Sequence, residues 1–174
     1  MSTLLATPPD AAEYGAFYAG YIARVPAGDV LQTLAAQLDD TTRLIAEFGD
    51  ARADHRYAPG KWTVKEVVGH LADTERVFAY RAMRIARGDA TPLPGFDENA
   101  YVAHANFGRR PLADLVRDLE LVRQSTLSLF AGLDDAALVR HGTASNNPLT
   151  PRAAAYITAG HERHHAAILR ERYL

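Results

Sequence analysis

The chain has 174 residues, 48% hydrophobic and 23% charged, with a net charge of -2 at pH 7 and no cysteine. This length and balance fit a single globular domain over residues 1–174, with a sizeable core. The charge argues against nucleic-acid binding through a bulk positive field. The lack of cysteine excludes disulfides, thiolate metal ligands and a protein-borne cysteine nucleophile.

The opening stretch Met1–Asp10 has no basic n-region and only a short apolar run, so no signal peptide is expected. No segment approaches the roughly 18 apolar residues of a membrane span, and the expected location is the cytoplasm, with no membrane partner. Residues 1–28 read as an N-terminal arm or short helix, with the tyrosines of Asp10–Ile22 packing on the body. Asp29 is a plausible N-cap for a helix over 29–48, whose Val30, Leu31, Leu34, Leu38, Leu44, Ile45 and Phe48 share one face. Thr63-Val64-Lys65-Glu66 fits a capping box, with Trp62 as the preceding hydrophobic staple. It opens a helix over 63–87 carrying Val64, Val67, Val68, Leu71, Phe78, Ala82 and Ile85.

Residues 88–110 contain Pro92, Pro94 and Gly95, which make a continuous helix implausible. A loop this long is often functional, and this one is expected to fold over the site. A third helix over 111–131 shows Leu112, Leu115, Val116, Leu119, Val122, Thr126 and Leu129. Gly142–Pro148 reads as a loop. Thr150 as N-cap and Pro151 at the first helical position then open a last helix over 150–172. No β alternation stands out. The expected fold is all-α, a four-helix bundle with a long loop between helices 2 and 3, and that loop permits a topology other than up-down-up-down.

On the last helix, Ala154, Ile157, Thr158, His161, His165 and Ile168 fall on one arc, with Arg152, Arg163 and Arg170 on the other side. Two inward imidazoles one turn apart can grip a divalent ion, but they need a third ligand. A lone inward histidine is more often a hydrogen-bonded core residue. An inward pair without a cation needs two sets of polar partners. His161 with His164, at i, i+3, is an alternative pair, and His164 otherwise reads as a flank. His55 and His141 sit in polar connections and read as solvated. His104 lies within reach in the long loop. His70 flanks the apolar face of the second helix, which can face the fourth, and so is the candidate third ligand.

Two acids are candidates for proton transfer. Glu75 falls in the apolar arc of the second helix, where it either orients a histidine or pairs with an arginine on a facing helix. Glu98 lies in the long loop and could reach the open coordination side. Arg76, Arg81, Arg84 and Arg87 read as a solvated helix end favoured by the dipole, with anion binding as the alternative for Arg81.

Several stretches occur in a telling order: Pro59-Gly60-Lys61-Trp62-Thr63, His70-Leu71-Ala72-Asp73-Thr74-Glu75, Phe96-Asp97-Glu98 and His161-x-x-x-His165. From about Gly28 to the C-terminus the chain resembles the DinB-like superfamily. That group includes YfiT-type proteins provisionally named metal-dependent hydrolases, bacillithiol S-transferases and, more distantly, mycothiol-dependent maleylpyruvate isomerase. The resemblance implies a four-helix bundle holding zinc or nickel through His70, His161 and His165. It also implies a small-molecule substrate, with a low-molecular-weight thiol transferred to an electrophile. A hydrolase that activates water at the same triad, and a non-catalytic metal-binding stress-response module, are the alternatives. A homodimer is left open.

Overall fold

The computed structural model describes residues 2–174. Helix α1 (Val30–Ala46) begins where the Asp29 carboxylate accepts from Leu31 N at 2.8 Å and Gln32 N at 3.2 Å. Those N–H groups would otherwise lack intrahelical partners. Helix α2 (Val64–Ala86) starts with the expected capping box. Glu66 N donates to Thr63 Oγ1 at 3.1 Å, and Thr63 N donates to the Glu66 carboxylate at 2.7 Å.

The long connection is not structureless. It contains helix α3 (Glu98–Ala105), capped by Asp97 Oδ1 accepting from Asn99 N and Ala100 N. The prolines at 92 and 94 stop a helix only upstream of this cap. Asn106, at φ 54°, ends α3 in the left-handed region before a 3-10 turn over Phe107–Arg109. Helix α4 (Leu112–Ala131) follows. Helix α5 (Pro151–Ile168) is capped by Thr150 Oγ1 and runs on into a π turn over Leu169–Tyr173.

Between α4 and α5 the stretch read as a loop holds a small hairpin, β1 (Gly142–Ala144) antiparallel to β2 (Asn147–Leu149). Ser145 at φ 52° and Asn146 at φ 60° make its two-residue turn, the left-handed pair that matches strand twist. Strands of three residues are too short to show alternation in the sequence.

Both α1 and α2 pack along α4 and α5, which leaves α1 diagonal to α2. The connections crossing the bundle are therefore residues 47–63 and 132–150. The long 87–111 segment joins neighbouring helices, so the departure from up-down-up-down order comes from the other two connections.

The N-terminal arm consists of 3-10 turns and one short helix, Ala19–Ile22, laid along α5. Contact is close enough that a Cβ on Gly160 would sit 2.0 Å from the Tyr21 carbonyl oxygen. Arg152, expected on an outer face, is buried and paired with Glu13 of the arm. This cover buries α5 on every side from Pro151 to Glu162. Along α2, Val64, Val67 and Val68 belong to one apolar cluster and Phe78, Ala82 and Ile85 to another, with His70 and Thr74 in the interval. No helix is long and apolar enough to cross a membrane among the described residues.

Candidate metal centre

Because α2 and α5 are neighbours, His70 meets the one-turn pair His161 and His165. The three imidazoles present one nitrogen each within 4.8 Å of one another, and ring centroids are 4.6–4.9 Å apart. His70 Nε2 and His161 Nε2 are 3.0 Å apart, with one ring donating and the other accepting. His70 Nδ1 faces the Thr74 hydroxyl at 3.4 Å, one turn along α2, which leaves Nε2 aimed at the other rings.

Burial sets the charge of the cluster. Desolvation lowers the His70 pKa to about 4. His165 is lowered to about 3, by burial first and then by His70 and His164. His161 is buried and lies well below the ordinary imidazole range, through burial and then its histidine neighbours. All three are neutral at pH 7, the form whose lone pairs bind metal.

A cavity of about 240 Å³ opens over the cluster. Trp62 forms one wall, its ring centroid 4.6 Å from that of His70 and nearly parallel to His165 at 6.3 Å. Tyr21 stands edge-on to both His161 and His164 at 5.4 Å. Trp62 therefore does more than staple a helix, and the arm supplies Tyr18 and Tyr21 to the pocket. Sequence reasoning missed that contribution of the arm. Its only signal was the density of aromatics in a segment without helical periodicity.

The long connection contributes Phe96 and Glu98 to the wall, and Phe107 packs so tightly on Gly69 of α2 that a Cβ there would lie 2.4 Å from the ring. Glu98 thus shares the cavity with the three histidines, exposed at the first turn of α3. The Tyr21 hydroxyl is held above its usual pKa, by burial first and then by the Glu98 charge. His164 lines the cavity without joining the cluster of three. His55, His104 and His141 are exposed and do not line it.

Glu75 is placed elsewhere. Its two oxygens accept from Arg123 of α4 at 2.9 and 2.7 Å, so it takes the arginine-pairing alternative and does not line the cavity. Arg123 also donates to Glu162 at 2.6 Å and to the Leu34 carbonyl at 2.6 Å, and Gln37 donates to Glu162. This knot ties all four long helices one layer beneath His161. The sequence signal for Arg123 was its spacing in Leu119, Arg123, Thr126 and Phe130, an arginine in the middle of an inward stripe.

The three nitrogens have the donor set and spacing that a divalent ion requires, and among the described residues no carboxylate or backbone carbonyl accepts a hydrogen bond from them. Fold and site together define a helical-bundle protein with a three-histidine cluster suited to a divalent metal. The chain belongs to the DinB superfamily, whose family profile matches residues 33–169. A relative from Bacillus licheniformis is 31% identical over 132 residues, covering 70% of each chain. Another from Oceanobacillus iheyensis is 23% identical over 139 residues, covering 79% of this chain and 78% of its own. Both are provisionally named metal-dependent hydrolases. The fold is that of YfiT from Bacillus subtilis, described as an unusual four-helix bundle, with a TM-score of 0.72 at 22% identity and 82% of each chain covered.

Proposed function

We propose that the protein is a divalent-metal-dependent enzyme for small molecules, with zinc or nickel held by His70, His161 and His165. Imidazole nitrogens suit both metals. The observation that carries this reading is the three neutral imidazoles converging under a 240 Å³ cavity. Three protein ligands beside open space is the layout of a catalytic site, whereas a structural site is closed by a fourth protein ligand.

A divalent ion held there supplies Lewis acidity and lowers the pKa of a thiol or water in contact with it. The protein's own groups do the rest. Thr74 steadies the His70 ring from its Nδ1 side, and Tyr21 and Trp62 fix the faces of His161 and His165. Phe78, Phe96 and Trp62 exclude water from the reacting groups. Glu98 accepts the proton released by the nucleophile at the cavity mouth.

The specific reaction proposed is transfer of a low-molecular-weight thiol to an electrophile. The aromatic cavity suits an apolar electrophile, and the chain has no cysteine to act as its own nucleophile. Hydrolysis is the second reading, favoured by Glu98 lining the same cavity and by the relatives' names. The test is to load the protein with zinc or nickel and follow a bimane electrophile with and without small thiols, beside an activated ester without thiol. Thiol-dependent turnover supports transfer, and thiol-independent ester cleavage supports hydrolysis. Stoichiometric metal with neither activity would overturn the enzymatic reading.

A further inference from the structure

Three arginines are buried among the described residues: Arg81, Arg123 and Arg152. Arg123 is matched by Glu75 and Glu162, and Arg152 by Glu13. Arg81 is only 2% exposed and forms no ion pair among the described residues. Its sequence reading as part of a solvated helix end is therefore wrong, because the hairpin and the Pro94 segment close over that side of α2. Its Nη2 donates to the Pro94 carbonyl at 2.7 Å and to Ser145 Oγ at 2.9 Å, and the Tyr18 hydroxyl is a further, neutral hydrogen-bond partner. The rings of Phe78 and Phe96 lie 5.3 and 5.6 Å from its guanidinium carbon. Desolvation lowers its pKa, partly offset by the Tyr18 hydroxyl and by Tyr101. A buried cation with only neutral partners is costly unless an anion comes to it.

The groups around Arg81 lead into the cavity already described. Tyr18, Phe78, Phe96 and Ser145 all line the space that the three histidines line. Arg81 does not itself line the cavity; it follows His70 by eleven residues of α2, about 16 Å along the axis, and stands behind Ser145, Phe78 and Phe96 of the lining. Ser145 accepts from Arg81, so its own O–H is free to point into the cavity. Glu98 is the one carboxylate in the lining, and it forms no ion pair with Arg81.

We propose that this end of the cavity is an anion subsite. There Ser145 Oγ, backed by the Arg81 guanidinium, receives the carboxylate of an elongated small molecule whose other end lies at the histidines. This rests on the cavity being the substrate site, but it does not depend on the metal.

Trp62 is the only tryptophan and lines the cavity, so its fluorescence reports binding. Metal-free protein is titrated with hexanoate and with hexan-1-ol, and zinc-loaded protein with 6-mercaptohexanoate and 6-mercaptohexan-1-ol. Wild type should prefer each acid over its alcohol by about tenfold or more, the scale of a hydrogen bond to a charged group. The preference should disappear in Arg81→Gln while alcohol binding persists. Ser145→Gly provides a second variant that should fold, since glycine favours the positive φ at this position, and it should weaken the preference in the same direction. Equal binding of acid and alcohol by wild type overturns the proposal, as does an unchanged preference in both variants. If the acid preference holds in metal-free protein but zinc adds nothing to thiol binding, the subsite stands and the metal reading falls.

Discussion

Two polar regions share α2 and α5 and are built on opposite principles. In the knot around Arg123, the guanidinium, Glu75, Glu162 and Gln37 bond to one another and to the Leu34 carbonyl. In the histidine cluster, three imidazoles have little beyond each other and the Thr74 hydroxyl, and they face a cavity. The knot pairs its charges across four helices and leaves unpartnered only Gln37 Oε1 and Glu162 Oε1 of its own atoms, both buried away from the cavity, so it holds the fold. The cluster leaves lone pairs unmatched, so it is ready for something from outside. Buried polar groups are a structural device when mutually bonded and a binding device when not.

The largest difference between the two should appear on removing Arg123. Arg123→Ala leaves two buried carboxylates uncompensated, and denaturant unfolding should show a loss of about 3–5 kcal/mol, metal or no metal. A loss confined to metal-loaded protein would mean that the knot serves the site and not the fold.

His161→Ala should do the reverse. It should lose most bound metal while the metal-free protein keeps nearly all its stability. Zinc should raise the stability of wild type by about 4 kcal/mol at roughly a thousandfold above Kd, and this gain should vanish in the variant. Metal content per chain, measured beside His164→Ala, decides the matter. If His164→Ala lost the ion and His161→Ala kept it, the proposed ligand set would be wrong.

Acidification should separate the regions further. His70 and His165 have folded pKa values of about 4 and 3, below the ordinary 6.5, so the unfolded chain takes up more protons as pH falls. Their contribution to the stability of metal-free protein is complete above pH 6.5 and is lost progressively as pH falls to about 4 for His70 and about 3 for His165. A pH series of melting temperatures checks this, and a profile flat from pH 7 to 4.5 would contradict it. Bound metal should move the loss to lower pH, because ligand protonation then competes with the ion.

A smaller effect is expected at Gly160. In Gly160→Ala the new methyl meets the Tyr21 carbonyl, so the arm must move, at about 1–3 kcal/mol. Tyr21 should then leave His161, with altered ligand binding and unchanged metal content. Unaltered binding would show that the arm is no part of the pocket.

The four long helices were legible from the order of amino acids alone, because apolar spacing and caps such as Asp29, Thr63 and Thr150 are local chemistry. It also put His161 and His165 on an inward face and His70 on the flank of another, since helical register follows from residue number alone. Tertiary structure decided which helices are neighbours, and hence that α2 meets α5 and the three rings converge. It decided as well that Glu75 goes to Arg123 and not to a histidine. Both alternatives fit the same face of α2, and only the position of α4 separates them. Arg81 was read as solvated from its place near a helix end and Arg152 as outward from the helical wheel, and neither signal shows what later covers a residue. Here the hairpin with the Pro94 segment covers Arg81, and the N-terminal arm covers Arg152. Those covering pieces lack periodicity, and their placement rests on contacts far apart in the chain, which no local pattern encodes.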